Sequence, residues 1–396
     1  MDHAELTLGV CAPSGDSPAV TLELCSRSGA PHGTKDVSAP ERPFWFDGCP
    51  RVGIHTSIAG DPCRALDTAA RIGCTALQIF SASPRMWPRP HQRTIAGPVA
   101  RRFRERRREL RLDPLAIHAN YLINPASPDR RQWKNAVEGL RYEIVRAVQL
   151  GADYLIVHPG SPRQAGIDRG IENVADAIAR ATLSVGADPC VRPLCVGHPS
   201  LGVRVLIENT AGQGTGLGSR FDHLQKILDA CRARGVAPLP GVCLDTAHLL
   251  AAGYEICKPE GLERTLDEAD ATIGLDNIRV IHVNDSKAPL GARRDRHQHI
   301  GRGHIGREAF ARILNHPRLA SPERAFLLET PVDHPGDDRR NVRALWSLLR
   351  MTPPIQRLRG GERRTPAVPR PRSRTHRGMR NSAARRAHRI TSRRPR

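Results

Sequence analysis

The chain has 396 residues, 39% apolar and 26% charged, which allows a sizeable packed core and excludes wholesale disorder. No apolar run approaches the roughly 18 residues needed to span a bilayer, and the N-terminus MDHAELTLGV has no basic segment followed by an apolar one, so neither a membrane span nor a secretory signal is read. The outlying feature is charge: 61 basic against 40 acidic residues give +21 and a pI near 10.7, which points to a polyanionic partner, nucleic acid above all.

Residues 1–48 carry scattered Gly, Pro and Ser and no sustained periodicity, and are read as an irregular extension. From about residue 49 a rhythm sets in. Short apolar runs recur as VGIHTS at 52, ALQIFS at 76, LAIHAN at 115, YLIVHP at 154, RVLIEN at 204, GVCLDT at 241, VIHVND at 280 and AFLLET at 325. Each reads as a strand buried on both faces. Between them the pattern predicts helices over 61–73, 129–150, 168–184, 219–234, 259–273 and 337–350, with a further basic helix at 100–110. Asp61 followed by Pro62 reads as an N-cap with proline at the first helical position, and Gly73 and Gly151 sit where C-terminal caps belong. Eight strands alternating with helices predict an α/β fold, a (β/α)8 TIM barrel over residues 49–352. A doubly wound sheet is the alternative, disfavoured because no GxGxxG follows the first strand. The Pro/Gly-rich stretch 186–203 is expected to be a long loop. The ten cysteines form no CxxC and are expected to be reduced and mostly buried. Residues 351–396 hold 15 Arg and one acid, a net of +14, against +7 for the other 350 residues. With few apolar residues, 353–396 reads as a disordered basic tail, either a solvated extension or a non-specific phosphate-binding arm.

Barrel chemistry sits at the C-terminal ends of the strands. The third run ends in His118 and the fourth in His158. The fifth ends in Glu208, and the sixth in Asp245 with His248 three residues on. The seventh carries His282 and Asp285, the eighth ends in Glu329, and RRDRHQHIGRGHIG between the last two offers Asp295 and His297. Taken singly, each reads as a satisfied structural group. Together on one rim they would incur heavy desolvation and repulsion unless cations neutralise them. Imidazole and carboxylate without thiolate suit Zn(II), Mn(II) or Fe(II), and the number of donors implies two or three ions. Such a centre suits phosphodiester hydrolysis, and the same donors can also run sugar isomerisation. NTAGQGTGLG at 209–218 lacks GK[ST] and is no P-loop; it follows Glu208, and close backbone approach is the better use of its glycines.

At these residues the sequence resembles the endonuclease IV family of apurinic/apyrimidinic endonucleases, from about 51 to 350. The blocks are GIHTSIAG, FSASPRMW, IHANYLIN, VHPGS, IENTAGQG, CLDTAHLLAAGY, HVNDSK, DRH followed by GRGHIG, and LLET. The resemblance implies three zinc ions, with Mn(II) as an alternative at one site. His118, His158 and Glu208 would hold the first; Glu208 would bridge to a second held also by Asp245, His282 and Glu329; and His248, Asp295 and His297 would hold the third. It implies incision 5′ to an abasic site in duplex DNA, leaving a 3′ hydroxyl, with trimming of blocked 3′ ends. It further implies Glu208 and Glu329 as the catalytic pair, in which Glu208 would hold the bridged ions and Glu329 would orient the nucleophile. Arg85, Tyr121 and Leu122 occupy positions that enter bent DNA, and an Arg with an adjacent aromatic–aliphatic pair fits a wedge on residue type as well. His55 fits the family pattern without being a ligand. The extension at 1–48, the tail and the length of 186–203 depart from the pattern, as does Arg302 where an acid is common.

Two other classes compete with this reading. One is a sugar-phosphate isomerase or epimerase on a related barrel, for which the DRH motif and the His118/His158 pair have no use. The other is an inactive DNA-binding protein acting through its tail, against which the full donor set argues. A cytoplasmic, nucleoid-associated monomer is expected, with no membrane partner.

Overall fold

The computed structural model describes residues 50–87, 94–186, 202–319 and 321–349. The extension at 1–48, the basic tail and most of the loop expected at 186–203 lie outside these residues, as do Cys11, Cys25, Cys49, Cys190 and Cys195. Strands β1 (Arg51–Thr56), β2 (Ala76–Phe80), β3 (Leu115–His118), β4 (Tyr154–Val157), β5 (Arg204–Glu208), β6 (Gly241–Asp245), β7 (Ile278–His282) and β10 (Ala325–Leu328) close into one parallel barrel in the order β1-β10-β7-β6-β5-β4-β3-β2. Two further strands, β8 (Asp285–Ser286) and β9 (His297–Gln298), form a small antiparallel ladder above the rim. The (β/α)8 expectation is borne out.

The runs are continuous because both strand faces are covered. Outward residues such as Val52, Ile79, Ile117, Val205, Leu244 and Phe326 pack against helices α1 (Cys63–Arg71), α2 (Gly97–Leu110), α3 (Arg130–Leu150), α4 (Ile167–Gly186), α5 (Phe221–Ala233), α8 (Gly306–Leu314) and α9 (Asp337–Leu348). Inward residues form a separate apolar layer of Ala76, Ala116, Ile156, Leu206, Cys243, Val280, Ala325 and Leu327. Gly53 belongs to that layer by position. A Cβ there would lie 2.3 Å from Ala76 O and 2.7 Å from Leu327 Cδ2, so no larger side chain fits the bore at β1.

The helix punctuation behaves as expected with one adjustment. Gly151 caps α3 with φ +67°, and Asp129 caps its start by accepting from Gln132 N at 2.7 Å. At α1 the cap position falls on Pro62 and the helix opens at Cys63, although Asp61 Oδ1 still accepts from Cys63 N at 3.1 Å. The seventh run, read as a strand over 280–285, is split. Its barrel strand ends at His282, and Asn284 N turns aside to donate to the Thr246 hydroxyl at 3.0 Å. The short helix α6 (Thr246–Ala252) begins where β6 ends, and α7 (Pro259–Thr272) follows.

Candidate metal centre

Every barrel strand presents inward residues two positions apart, because side chains alternate across a strand. Two residues above the apolar layer the bore therefore holds His55, Gln78, His118, His158, Glu208, Asp245, His282 and Glu329. The ladder places Asp245 opposite His282. His248 arrives by a different route. Asp245 is the N-cap of α6, its Oδ1 accepting from His248 N at 2.8 Å, so the first turn carries His248 back over the bore. The β8–β9 ladder pairs Ser286 with His297 and swings the DRH segment inward.

The nine residues expected to act together do converge. Glu208 Oε2 lies 3.2 Å from His118 Nε2 and 3.6 Å from His158 Nε2, while its Oε1 lies 3.0 Å from His282 Nδ1. His282 Nδ1 is also 3.1 Å from Glu329 Oε2 and 3.9 Å from Asp245 Oδ2. Asp295 meets His248 Nε2 at 3.3 Å and His297 Nε2 at 3.2 Å, and Asp245 Oδ2 is 3.5 Å from His297 Nε2. Among the described residues, donor atoms lie within 4.8 Å of one another in the groups His118–His158–Glu208, Glu208–Asp245–His282–Glu329 and Asp245–His248–His297, and in a further group of Glu208, Cys243 and His282.

The donor set fits metal ions on the chemistry of its imidazoles. His118 Nδ1 donates to Ala119 O (2.9 Å), His248 Nδ1 to Asn209 O (2.9 Å) and His297 Nδ1 to Glu329 O (3.1 Å), while His282 Nε2 donates to Gln78 Oε1 (2.8 Å). One nitrogen of each ring is thus committed, and the other is turned toward carboxylates. Those contacts require a cation between them, either a proton or a metal. His297 Nε2 is buried without a hydrogen-bond partner, as suits a nitrogen placed to bind an ion.

Electrostatics say the same. Burial alone would raise the Glu208 carboxyl, but the His158 and His282 charges and hydrogen bonds from His118 and His282 hold it well below its ordinary range. Burial opposes protonation of His248 and His297, yet Asp245 and Asp295 lift them to about 10 and about 9. Burial lowers His158. An ion entering here competes with protons held on His248 and His297 at neutral pH.

Several residues in or around the site lie outside the sequence-predicted set. Gln78, buried inside an apolar strand run, donates from Nε2 to Glu329 Oε1 (2.5 Å) while its Oε1 fixes His282. Asn284 Nδ2 donates to Asp245 Oδ2 (2.6 Å) and its Oδ1 accepts from Glu329 N (2.7 Å). Asn209 Oδ1 accepts from Asp245 N (2.6 Å). The signal for Gln78 was available: it is the lone polar residue within ALQIF. His55, read as no ligand, sits 3.1 Å from Glu329 Oε1. Asp285 stands apart from the cluster. Its carboxylate accepts from the backbone of Ser286, Gly301, Gly303 and Ile305 and ties down the GRGHIG loop. Of the glycines after Glu208, one serves close approach to it, while Gly214 has nothing within 4 Å of an added Cβ. Gly218, at φ +90°, would place a Cβ 3.2 Å from Glu208 O.

A cavity of about 980 Å³ opens beside the cluster, lined among others by His55, Phe80, Met86, Tyr121, His297 and Glu329. Arg85, Tyr121 and Leu122 are exposed on the two loops after β2 and β3.

The family model described as Xylose isomerase-like TIM barrel matches residues 66–350. Probable endonuclease 4 of Solibacter usitatus is 45% identical over 302 residues, covering 75% of this chain and 96% of the relative. Its counterpart in Halothermothrix orenii is 38% identical, covering 71% and 93%. The chain belongs to the endonuclease IV family. The crystal structure of endonuclease IV from Thermus thermophilus superposes with a TM-score of 0.62 at 35% identity, covering 76% of this chain and 98% of that one. As a member of the family, the chain is a phosphodiester-cleaving hydrolase. A D-tagatose 3-epimerase-like protein is 18% identical with a TM-score of 0.53, a likeness of fold alone, so the isomerase reading gains nothing beyond the shared barrel.

Proposed function

We propose that this chain is a zinc-dependent DNA-repair endonuclease that hydrolyses the phosphodiester 5′ to abasic sites in duplex DNA, leaves a 3′ hydroxyl, and trims blocked 3′ ends. The observation that carries the reading is the convergence of nine His, Asp and Glu side chains on one rim of an endonuclease IV barrel. His118, His158 and Glu208 hold one ion; Glu208, Asp245, His282 and Glu329 hold a second; His248, Asp295 and His297 hold a third. Zinc suits all three, with Mn(II) an alternative at one. When bound, such ions supply Lewis-acid stabilisation of the phosphoryl oxygens and a water acidified enough to attack at neutral pH.

The protein's own residues set the geometry. Glu208 faces His118 and His158 with one oxygen and His282 with the other, so a single buried carboxylate spans two neighbouring groups. Glu329 is fixed at Oε1 by Gln78 and faces His282 through Oε2, on the wall of the cavity, where it can orient an attacking water. Arg85, Tyr121 and Leu122 form the DNA-entering edge. Among the described residues no helix is long and apolar enough to cross a membrane. The partner is double-stranded DNA carrying abasic sites, met by a cytoplasmic monomer associated with the nucleoid.

The test is incision of a duplex carrying one synthetic abasic residue, run with metal analysis. The expected result is a single cut 5′ to the lesion by protein holding zinc. Metal-loaded protein that leaves the duplex intact and turns over a ketose would overturn the reading.

A further inference from the structure

Arg85, Met86, Tyr121 and Leu122 stand exposed on two separate loops, three of them large and apolar or aromatic. Loops that grip a duplex from a mobile state must be ordered on binding, which weakens affinity. Here they are already joined. Asn120 is only 5% exposed and every polar group of its side chain is used. Its Nδ2 donates to Ser83 O at 2.9 Å and to Met86 O at 2.8 Å, on either side of Arg85, and its Oδ1 accepts from Leu122 N at 2.8 Å. Tyr121 N adds a bond to Pro84 O at 3.1 Å.

The joint is anchored from below by α3. Glu143, buried on that helix, accepts from the Ser81 hydroxyl at 2.6 Å. Arg146, one turn further on, donates to Ser81 Oγ at 2.9 Å and also to Ser81 O. The loop after β2 is thus fixed to one helix, and Asn120 fastens the loop after β3 to it.

We propose that Asn120 is a positioning residue that fastens the Arg85 loop and the Tyr121–Leu122 pair into one preformed ridge for gripping a lesion-bearing duplex. This rests on reading the chain as an abasic-site endonuclease. Asn120 acts through the loops it joins and not through the metal centre. Only an amide fits the role, since it needs two donors and an acceptor at one length.

The experiment compares zinc-loaded, full-length wild type with Asn120→Ala and Asn120→Asp on a duplex carrying one synthetic abasic residue. Asn120→Asp keeps the volume and the acceptor for Leu122 N but turns lone pairs toward Ser83 O and Met86 O, so it tests the joint even if the alanine variant folds poorly. The expected result is a KM raised about tenfold or more in both variants, with kcat at saturation changed by less than about twofold. Bound zinc should match wild type. Unchanged KM in variants that fold overturns the proposal and leaves the endonuclease reading standing. Loss of kcat together with bound zinc overturns it too, by placing Asn120 in support of the metal centre. If wild type itself does not incise the duplex, it is the underlying reading that fails.

Discussion

The bore of this barrel contains two layers built by the same eight strands, and they obey opposite rules. In the lower layer stand Gly53, Ala76, Ala116, Ile156, Leu206, Cys243, Val280 and Leu327; two residues further along each strand stand His55, Gln78, His118, His158, Glu208, Asp245, His282 and Glu329. Lower-layer side chains satisfy one another by packing and need no partner. The upper layer holds carboxylates and imidazoles, Glu208, Asp245 and His282 fully enclosed and His55, His158 and Glu329 partly exposed, and the enclosed groups are stable there only when hydrogen-bonded and neutralised. The lesson is a division of labour within single strands. The lower half closes the barrel, and the strain of gathering charge is confined to a rim that it holds rigid.

Three substitutions sharpen that contrast. The largest effect is expected in the upper layer. Glu208→Ala removes the carboxylate that faces His118, His158 and His282, and should lower incision by on the order of a thousandfold or more while emptying the neighbouring ion sites. Metal analysis beside the incision rate checks this, and full incision by the variant would show the site to be misplaced. One step down the same strand, Leu206→Ala should act on stability instead, costing about 2–5 kcal/mol through the cavity it leaves. Denaturant unfolding should show the loss while saturating kcat stays near wild type; a selective collapse of kcat would break the division between layers. The smallest effect is expected at Gln78→Ala. It withdraws the hydrogen bonds that aim Glu329 and His282, and should weaken zinc binding or turnover by about 10–100-fold. Titration against a chelator-buffered zinc series measures it, and wild-type affinity with wild-type turnover would reduce Gln78 to filler.

Much of this site was legible in the chain because strands in a parallel barrel announce themselves as apolar runs, and the first polar residue past each run lands on the functional rim. That logic reached His118, His158, Glu208, Asp245, His282 and Glu329. It passed over Gln78, which sits inside its run, and Asn284, whose partners Asp245 and Glu329 lie 39 and 45 residues away in opposite directions along the chain. It also grouped Asp285 with the other strand-end carboxylates. The fold instead gives that side chain four backbone N–H donors of its own.

The net charge of +21 takes a smaller place, since +14 of it lies in residues 351–396, outside the described structure. The sequence by itself determined which residue types carry chemistry and at which strand ends they stand, because local alternation and apolar runs are encoded residue by residue. The tertiary structure alone decided which oxygen faces which nitrogen, that Gln78 and Asn284 fix the carboxylates of Glu329 and Asp245, and that Asn120 joins two loops. Such contacts depend on barrel closure and register, which bring together residues as far apart as Gln78 and Glu329.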